Sequence, residues 1–209
     1  MGHHITDEIR GEFSRSKTPV VLAGSIDPDE QVGSVNIDYA QSATKDATDL
    51  LAKNGNKKIA FVSGALIDPI NGQSRMKGYK EALQENNLPY SEGLIFEAAY
   101  NFKDGLSLVE RIHNSGATAV YVSDDELAIG ILDGLLDKGV KVPEEFEVIT
   151  SNNSLLTEVA RPRLTSITQP LYDLGAVSMR LLTKMMNKEE VEEKTIVLPY
   201  GIEEKGSTK

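Results

Sequence analysis

The sequence predicts an α/β fold built on doubly wound parallel sheet, and three observations carry that expectation. Short β-branched runs alternate with amphipathic helical stretches along the chain. The runs are apolar nearly throughout, as strands covered on both faces require. The strand-then-helix unit also recurs without a break, so right-handed crossovers and helices on both faces of a sheet follow.

In order, TDEIRGEFSRSK has Thr6 as N-cap, acids in its first turn, and Ile9 and Phe13 at helical spacing, which predicts an opening helix. PVVLAG reads as a buried strand and VGSVNID as another, with the turn-rich SIDPDEQ between them. QSATKDATDLLAKNG predicts a helix with Ala43, Ala47, Leu50 and Leu51 inward and Gly55 as its stop. Strand KIAFVSG, helix SRMKGYKEALQENN, strand GLIFEAA, helix KDGLSLVERIHNSG, strand ATAVYVS, helix DDELAIGILDGLLDKG and strand FEVITS follow. LTSITQP is a strand leading into a helix that Pro170 starts, and KTIVLPYGI is a last strand before the polar tail EEKGSTK. No low-complexity linker divides the chain, and its weak points are SIDPDE and ARPRL. A doubly wound sheet usually opens on a strand, so a chain that opens on a helix reads as a fragment.

With 209 residues, 40% of them hydrophobic, the chain can bury a substantial core. It has no cysteine, no apolar run near the roughly 18 residues of a membrane span, and no signal-peptide pattern, so the expectation is a cytoplasmic protein. A formal net charge of -10 argues against this chain holding nucleic acid by itself, because DNA affinity rests on cations that replace the counterions of phosphate. His3 and His4 read as ordinary chain rather than a metal site, since no third ligand stands nearby.

In an open parallel sheet, ligands bind beyond the carboxyl ends of the strands, and here those loops are polar. Gly64 and ALIDPING follow one strand, Asp124, Asp125 and Glu126 another, and Ser151, Asn152, Asn153 and Ser154 a third. Arg75 stands where a guanidinium can form two bonds to a hydroxyl-rich or anionic ligand. Each has a plainer reading that the sequence leaves open: acids favoured at a helix start, asparagines in a turn, an arginine on a solvated face.

No catalytic residue is assigned, because the dinucleotide and nucleotide phosphate cradles and the serine nucleophile elbow are all missing. His113 reads as a solvated residue near a helix end. In QPLYDLGAVSMRLLTK, at 100° per residue, Asp173, Arg180 and Lys184 fall within an arc of about 40°. Val177 borders this stripe, and Leu174, Leu181, Leu182 and Met185 lie opposite. The two cations fit the helix C-terminal dipole. They also fit a grip on a phosphate carried by another macromolecule, with Tyr172 and Val177 supplying apolar contact.

VGSVNIDY, KKIAFVSG, RMKGYKEAL, SDDELAIGI, VPEEFEVI, ARPRLTSITQP and YDLGAVSMRLL together resemble the ligand-binding core of the LacI/GalR (lactose-repressor) family of bacterial transcription factors, from about residue 18 to residue 204. The resemblance implies a periplasmic-binding-protein-like type I fold with two subdomains. An incomplete amino-terminal one would comprise residues 1–36 plus 165–190, and a carboxy-terminal one 37–164 plus 191–209, the helix-turn-helix DNA-binding domain being absent. For the catabolite control proteins of that family it implies a cytoplasmic homodimer, a non-enzymatic regulator that reaches operator DNA only through its amino-terminal domain. The implied partner is serine-phosphorylated HPr, met by Tyr172, Asp173, Val177, Arg180 and Lys184. No cofactor is implied, and fructose 1,6-bisphosphate or glucose 6-phosphate would act as effector in a cleft at Arg75, Asp124 and Asn152. There the sequence departs from the family: Thr150, Ser151 and Asn152 replace its usual Gly-aromatic-Asp, which removes a charged acceptor for sugar hydroxyls. A sugar-binding protein of a transporter shares the fold and stands as the alternative, and an α/β enzyme on a sugar phosphate would rest on Asp124, Asp125 and His113.

Overall fold

A computed structural model describes residues 7–15, 18–24, 32–38 and 40–209. The chain forms two compact units, residues 1–38 with 169–200 and residues 39–168 with 201–209.

In the smaller unit, α1 (Asp7–Arg15) precedes a three-stranded parallel sheet of order β1 (Val21–Ala23), β2 (Gly33–Ile37), β8 (Thr195–Leu198). The long helix α7 (Leu171–Met186) packs on β1 and β2. Its seat is close. A methyl group on Gly33 would stand 2.9 Å from Val21, 3.1 Å from Leu181 and 3.2 Å from Met185, so the bare backbone of β2 lets the helix descend onto the sheet. Leu181 and Ser178 are the buried residues of α7, with Leu174, Leu182 and Met185 half-buried beside them.

The larger unit holds a six-stranded sheet of order β4 (Ile95–Glu97), β3 (Ile59–Ser63), β5 (Ala119–Val122), β6 (Glu147–Ser151), β7 (Thr165–Thr168), β9 (Gly201–Glu203). All its pairings are parallel except β9 against β7. The chain runs from β3 outward to β4 and returns on the other side at β5, so the strand order reverses between β3 and β5. Loops leave a crevice at such a reversal. Helices α2 (Ser42–Lys53) and α3 (Arg75–Glu85) pack together, as do α4 (Phe102–Asn114) and α5 (Asp125–Asp137). Glycines allow both approaches: a methyl on Gly78 would meet the Gln41 carbonyl at 2.1 Å, and one on Gly130 the Phe102 carbonyl at 2.1 Å. The core beneath α4 and α5 gathers Val62, Val120, Val122, Leu127, Ile131 and Leu135, all at 0% exposure. This is the apolar burial that the continuous strand runs foretold.

The structure amends the sequence reading in three places. KTIVLPYGI forms two strands rather than one, β8 in the small sheet and β9 in the large, broken at Pro199, which has no N–H to donate to a ladder. Residues 165–168 pair with β6 in the larger unit, and residues 195–198 pair with β2 in the smaller one, so the unit boundaries fall at 168/169 and 200/201 instead of 164/165 and 190/191. A short helix, α6 (Leu155–Val159), and a π-helical turn (Pro69–Ser74) were not foreseen. Thr6, His3, His4 and the turn 25–31 lie outside the described residues.

Candidate functional site

Arg75 opens α3 directly after the π-helical turn and is only 2% exposed, so it is no solvated face residue. Its Nη1 donates to the Tyr121 hydroxyl at 2.5 Å and to Ser151 Oγ at 3.3 Å, and Thr44 Oγ1 donates to the same tyrosine at 2.9 Å. Tyr121 stacks on Phe61 at 5.6 Å, and Phe61 meets Tyr79 at 5.1 Å. A guanidinium is costly to bury without polar partners, and this one is fixed from three strands at once: it follows β3, while Tyr121 and Ser151 come from β5 and β6. Tyr121 has no role assigned to it in the sequence reading. Its one signal is an aromatic hydroxyl inside the otherwise aliphatic run AVYV.

Asp124 and Asn152 stand at neighbouring strand ends. Asp124 is the N-cap of α5, its Oδ1 accepting from Glu126 N at 3.0 Å and Leu127 N at 3.1 Å. Asn152 and Asn153 hold φ of +104° and +51°, a left-handed backbone that asparagine tolerates better than most residues. Asn153 is a structural tie: Lys205 Nζ donates to its Oδ1 at 2.7 Å, and its Nδ2 donates to Glu203 at 2.8 Å. Asp125, between cap and loop, is 2% exposed and accepts from Thr150 Oγ1 at 2.9 Å and Ser154 N at 2.7 Å. Burial pushes its carboxyl above the ordinary range, and those hydrogen bonds oppose the shift. His113 is exposed in the last turn of α4. Among the described residues no group of three or more His, Cys, Asp or Glu could hold a metal ion.

The α7 residues have the opposite character. Tyr172 is 87% exposed, Asp173, Arg180 and Lys184 are exposed, and Val177 is half-buried. Among the described residues neither cation has a hydrogen bond or ion pair through its side chain. Val177, Arg180 and Lys184 line a surface cavity of about 420 Å³ together with Leu181, Ile196 and the segment 190–193. A second row lies beside the charges. Tyr172, Met179 and Met186, seven residues apart and thus nearly in line on a helix, are 87%, 61% and 64% exposed.

With this geometry in hand, the periplasmic-binding-protein-like domain family matches residues 48–208. The chain belongs to that family. Within it, the chain is similar to LacI-type regulators. It is 60% identical to catabolite control protein A of Streptococcus mutans over 209 residues, which are all of this chain and 62% of that protein. The crystal structure of transcription regulator CcpA of Lactococcus lactis superposes with a TM-score of 0.88 at 48% identity, covering 100% of this chain and 76% of the other. A LacI family transcriptional regulator from Enterococcus faecium, solved with bound ribose, superposes with a TM-score of 0.84 at 27% identity, covering 98% and 76%. The periplasmic-binding-protein-like α/β fold expected from the sequence is thereby confirmed. The chain spans about three fifths of the length of the S. mutans protein. No described helix is long and apolar enough to cross a membrane.

Proposed function

We propose that this chain is the regulatory core of a LacI/GalR-type transcription regulator of carbon catabolite control, and that α7 is its docking face for the serine-phosphorylated phosphocarrier HPr. The observation that supports this reading is the pairing, on one helix, of two exposed cations without side-chain partners among the described residues and a row of exposed apolar side chains. Cations one turn apart suit a phosphoryl group. The apolar row gives a protein surface, rather than a free anion, something to cover. Such a core acts as a non-enzymatic homodimer and reaches operator DNA through an amino-terminal reading domain; phosphocarrier binding shifts the population toward the DNA-competent arrangement.

The strand ends at Arg75, Asp124 and Asn152 are the second element of the proposal. They would take a sugar-class effector, fructose 1,6-bisphosphate or glucose 6-phosphate, with Arg75 as the fixed cation. The ribose-bound relative supports a ligand of the sugar class.

Calorimetry on the protein at its native length, with HPr in its phosphorylated and unphosphorylated forms, tests the docking face. The phosphorylated form should bind far more tightly. The Arg180→Ala, Lys184→Ala double variant should lose about 3 kcal/mol or more, on the order of a hundredfold in affinity, while its melting temperature stays put. Equal binding of both HPr forms, or an unaffected double variant, overturns the proposal.

A further inference from the structure

The cavity of about 420 Å³ that Arg180 and Lys184 line also has an acidic wall: Glu190, Glu192 and Glu193 line it, all exposed. None of the three is held by a hydrogen bond or ion pair among the described residues, whereas the adjacent Glu189 accepts from Asn187 at 3.0 Å. Three carboxylates thus line the same cavity as the two cations. They do not neutralise the cations by contact. They lower the potential at the place an anion would occupy.

We propose that Glu190, Glu192 and Glu193 are specificity-determining residues of this site, an electrostatic counterweight that excludes free anions and admits a phosphoryl group only when a protein surface comes with it. The inference rests on the docking role of α7 and adds what sets its selectivity. A free dianion such as inorganic phosphate in this cavity meets two attractive charges and three repulsive ones among its lining residues. Its net attraction is small. A phosphoprotein meets the same field and in addition covers Tyr172 and Met179, which are 87% and 61% exposed. Burial of apolar surface does not depend on the acidic wall. The wall therefore subtracts from every anion and leaves only the ligand with a second source of affinity. On a chain of formal net charge -10, placing this acid beside the cations makes the device local rather than a diffuse surface effect.

The test is the triple variant Glu190→Gln, Glu192→Gln, Glu193→Gln in the protein at its native length, with inorganic phosphate as probe and the Arg180 side-chain N–H signal in NMR as readout. Half-saturation should fall to about a third to a tenth of the parent concentration at low ionic strength, and the gap should close above roughly 0.3 M salt, where screening is within a few ångströms. Phosphorylated HPr should bind the variant at least as tightly as the parent. An unchanged phosphate midpoint overturns the inference. So does weaker binding of phosphorylated HPr by the variant, which would make the glutamates contacts for a cation on the partner. A parent protein blind to the seryl phosphate of HPr would remove the docking reading, while the phosphate arm would still measure the wall.

Discussion

The strand ends of the larger unit and the outer face of α7 are both rich in polar side chains, yet they hold them in opposite ways. At the strand ends, Arg75, Asp125, Thr150 and Ser151 are at most 2% exposed, and each is tied to a named neighbour. On α7, Arg180 and Lys184 are exposed and tied to nothing among the described residues. A polar group in the first setting is held in place because leaving it unpaired would cost the fold. One in the second setting costs the fold nothing, so its presence asks for a partner outside the unit. Burial and bonding separate the two cases where residue type does not.

Substitutions can break this contrast, and the largest effect belongs to the buried side. Glu147 is fully buried and accepts from Asn54 at 2.6 Å, Asn56 at 2.9 Å and the Lys209 backbone N–H at 3.1 Å. Glu147→Ala leaves these donors facing a void, and we expect a loss of about 2–4 kcal/mol in urea unfolding. Arg180→Ala and Lys184→Ala should each stay within about 0.5 kcal/mol in the same measurement. An equal cost on both sides would erase the distinction.

What the sequence made legible follows from the same contrast. Apolar patterning announced the parallel strands, and Gly55 ended α2 at φ +96° as a helix stop should. The arc of Asp173, Arg180 and Lys184 was readable from spacing, because exposed side chains on a regular helix are placed by periodicity alone. Buried polar residues are placed by partners far along the chain, and periodicity says nothing of those. The tail EEKGSTK read simply as polar, and nothing in it announced that Ser207 is 0% exposed: its Oγ donates to the Val148 carbonyl at 2.6 Å and accepts from Thr165 N at 2.8 Å. Tyr121 was passed over for the same reason, its partners Thr44 and Arg75 standing 77 and 46 residues away. Helix α6 has only five residues and depends on the Ser154 cap and on Thr157, whose Oγ1 donates to Asn153 at 3.0 Å, too little pattern to detect.

A smaller effect sharpens the comparison within the buried set. Asp125 is held by Thr150 and Ser154, and burial raises its carboxyl above the ordinary range. The folded protein therefore keeps a proton that the unfolded chain has already released. Its stability falls as pH rises from about 4 through the folded-state titration, by at most about 1.4 kcal/mol per pH unit. Asp125→Asn keeps an oxygen for the Ser154 N–H and turns an amide toward the Thr150 hydroxyl, but it cannot titrate. Its stability measured from pH 4 to 8 should lack that fall; curves that stay parallel would mean the group ionises freely in the fold.

The smallest effect on folding is expected at Tyr172, and it bears on the docking face because it separates two tyrosines of one chain. Tyr121 is fully buried, and its hydroxyl is the joint of the strand-end cluster; Tyr172, 87% exposed, supports nothing in its own unit. Tyr172→Ala should leave unfolding within about 0.5 kcal/mol of the parent while weakening phosphorylated HPr binding about fivefold or more, the scale of an aromatic anchor at a partner's surface. The apolar contribution is independent of charge, so this loss should persist at high salt, where the share carried by Arg180 and Lys184 shrinks. A tyrosine whose removal changes neither quantity would mean that the exposed row on α7 faces no partner, leaving the cations to act on anions alone.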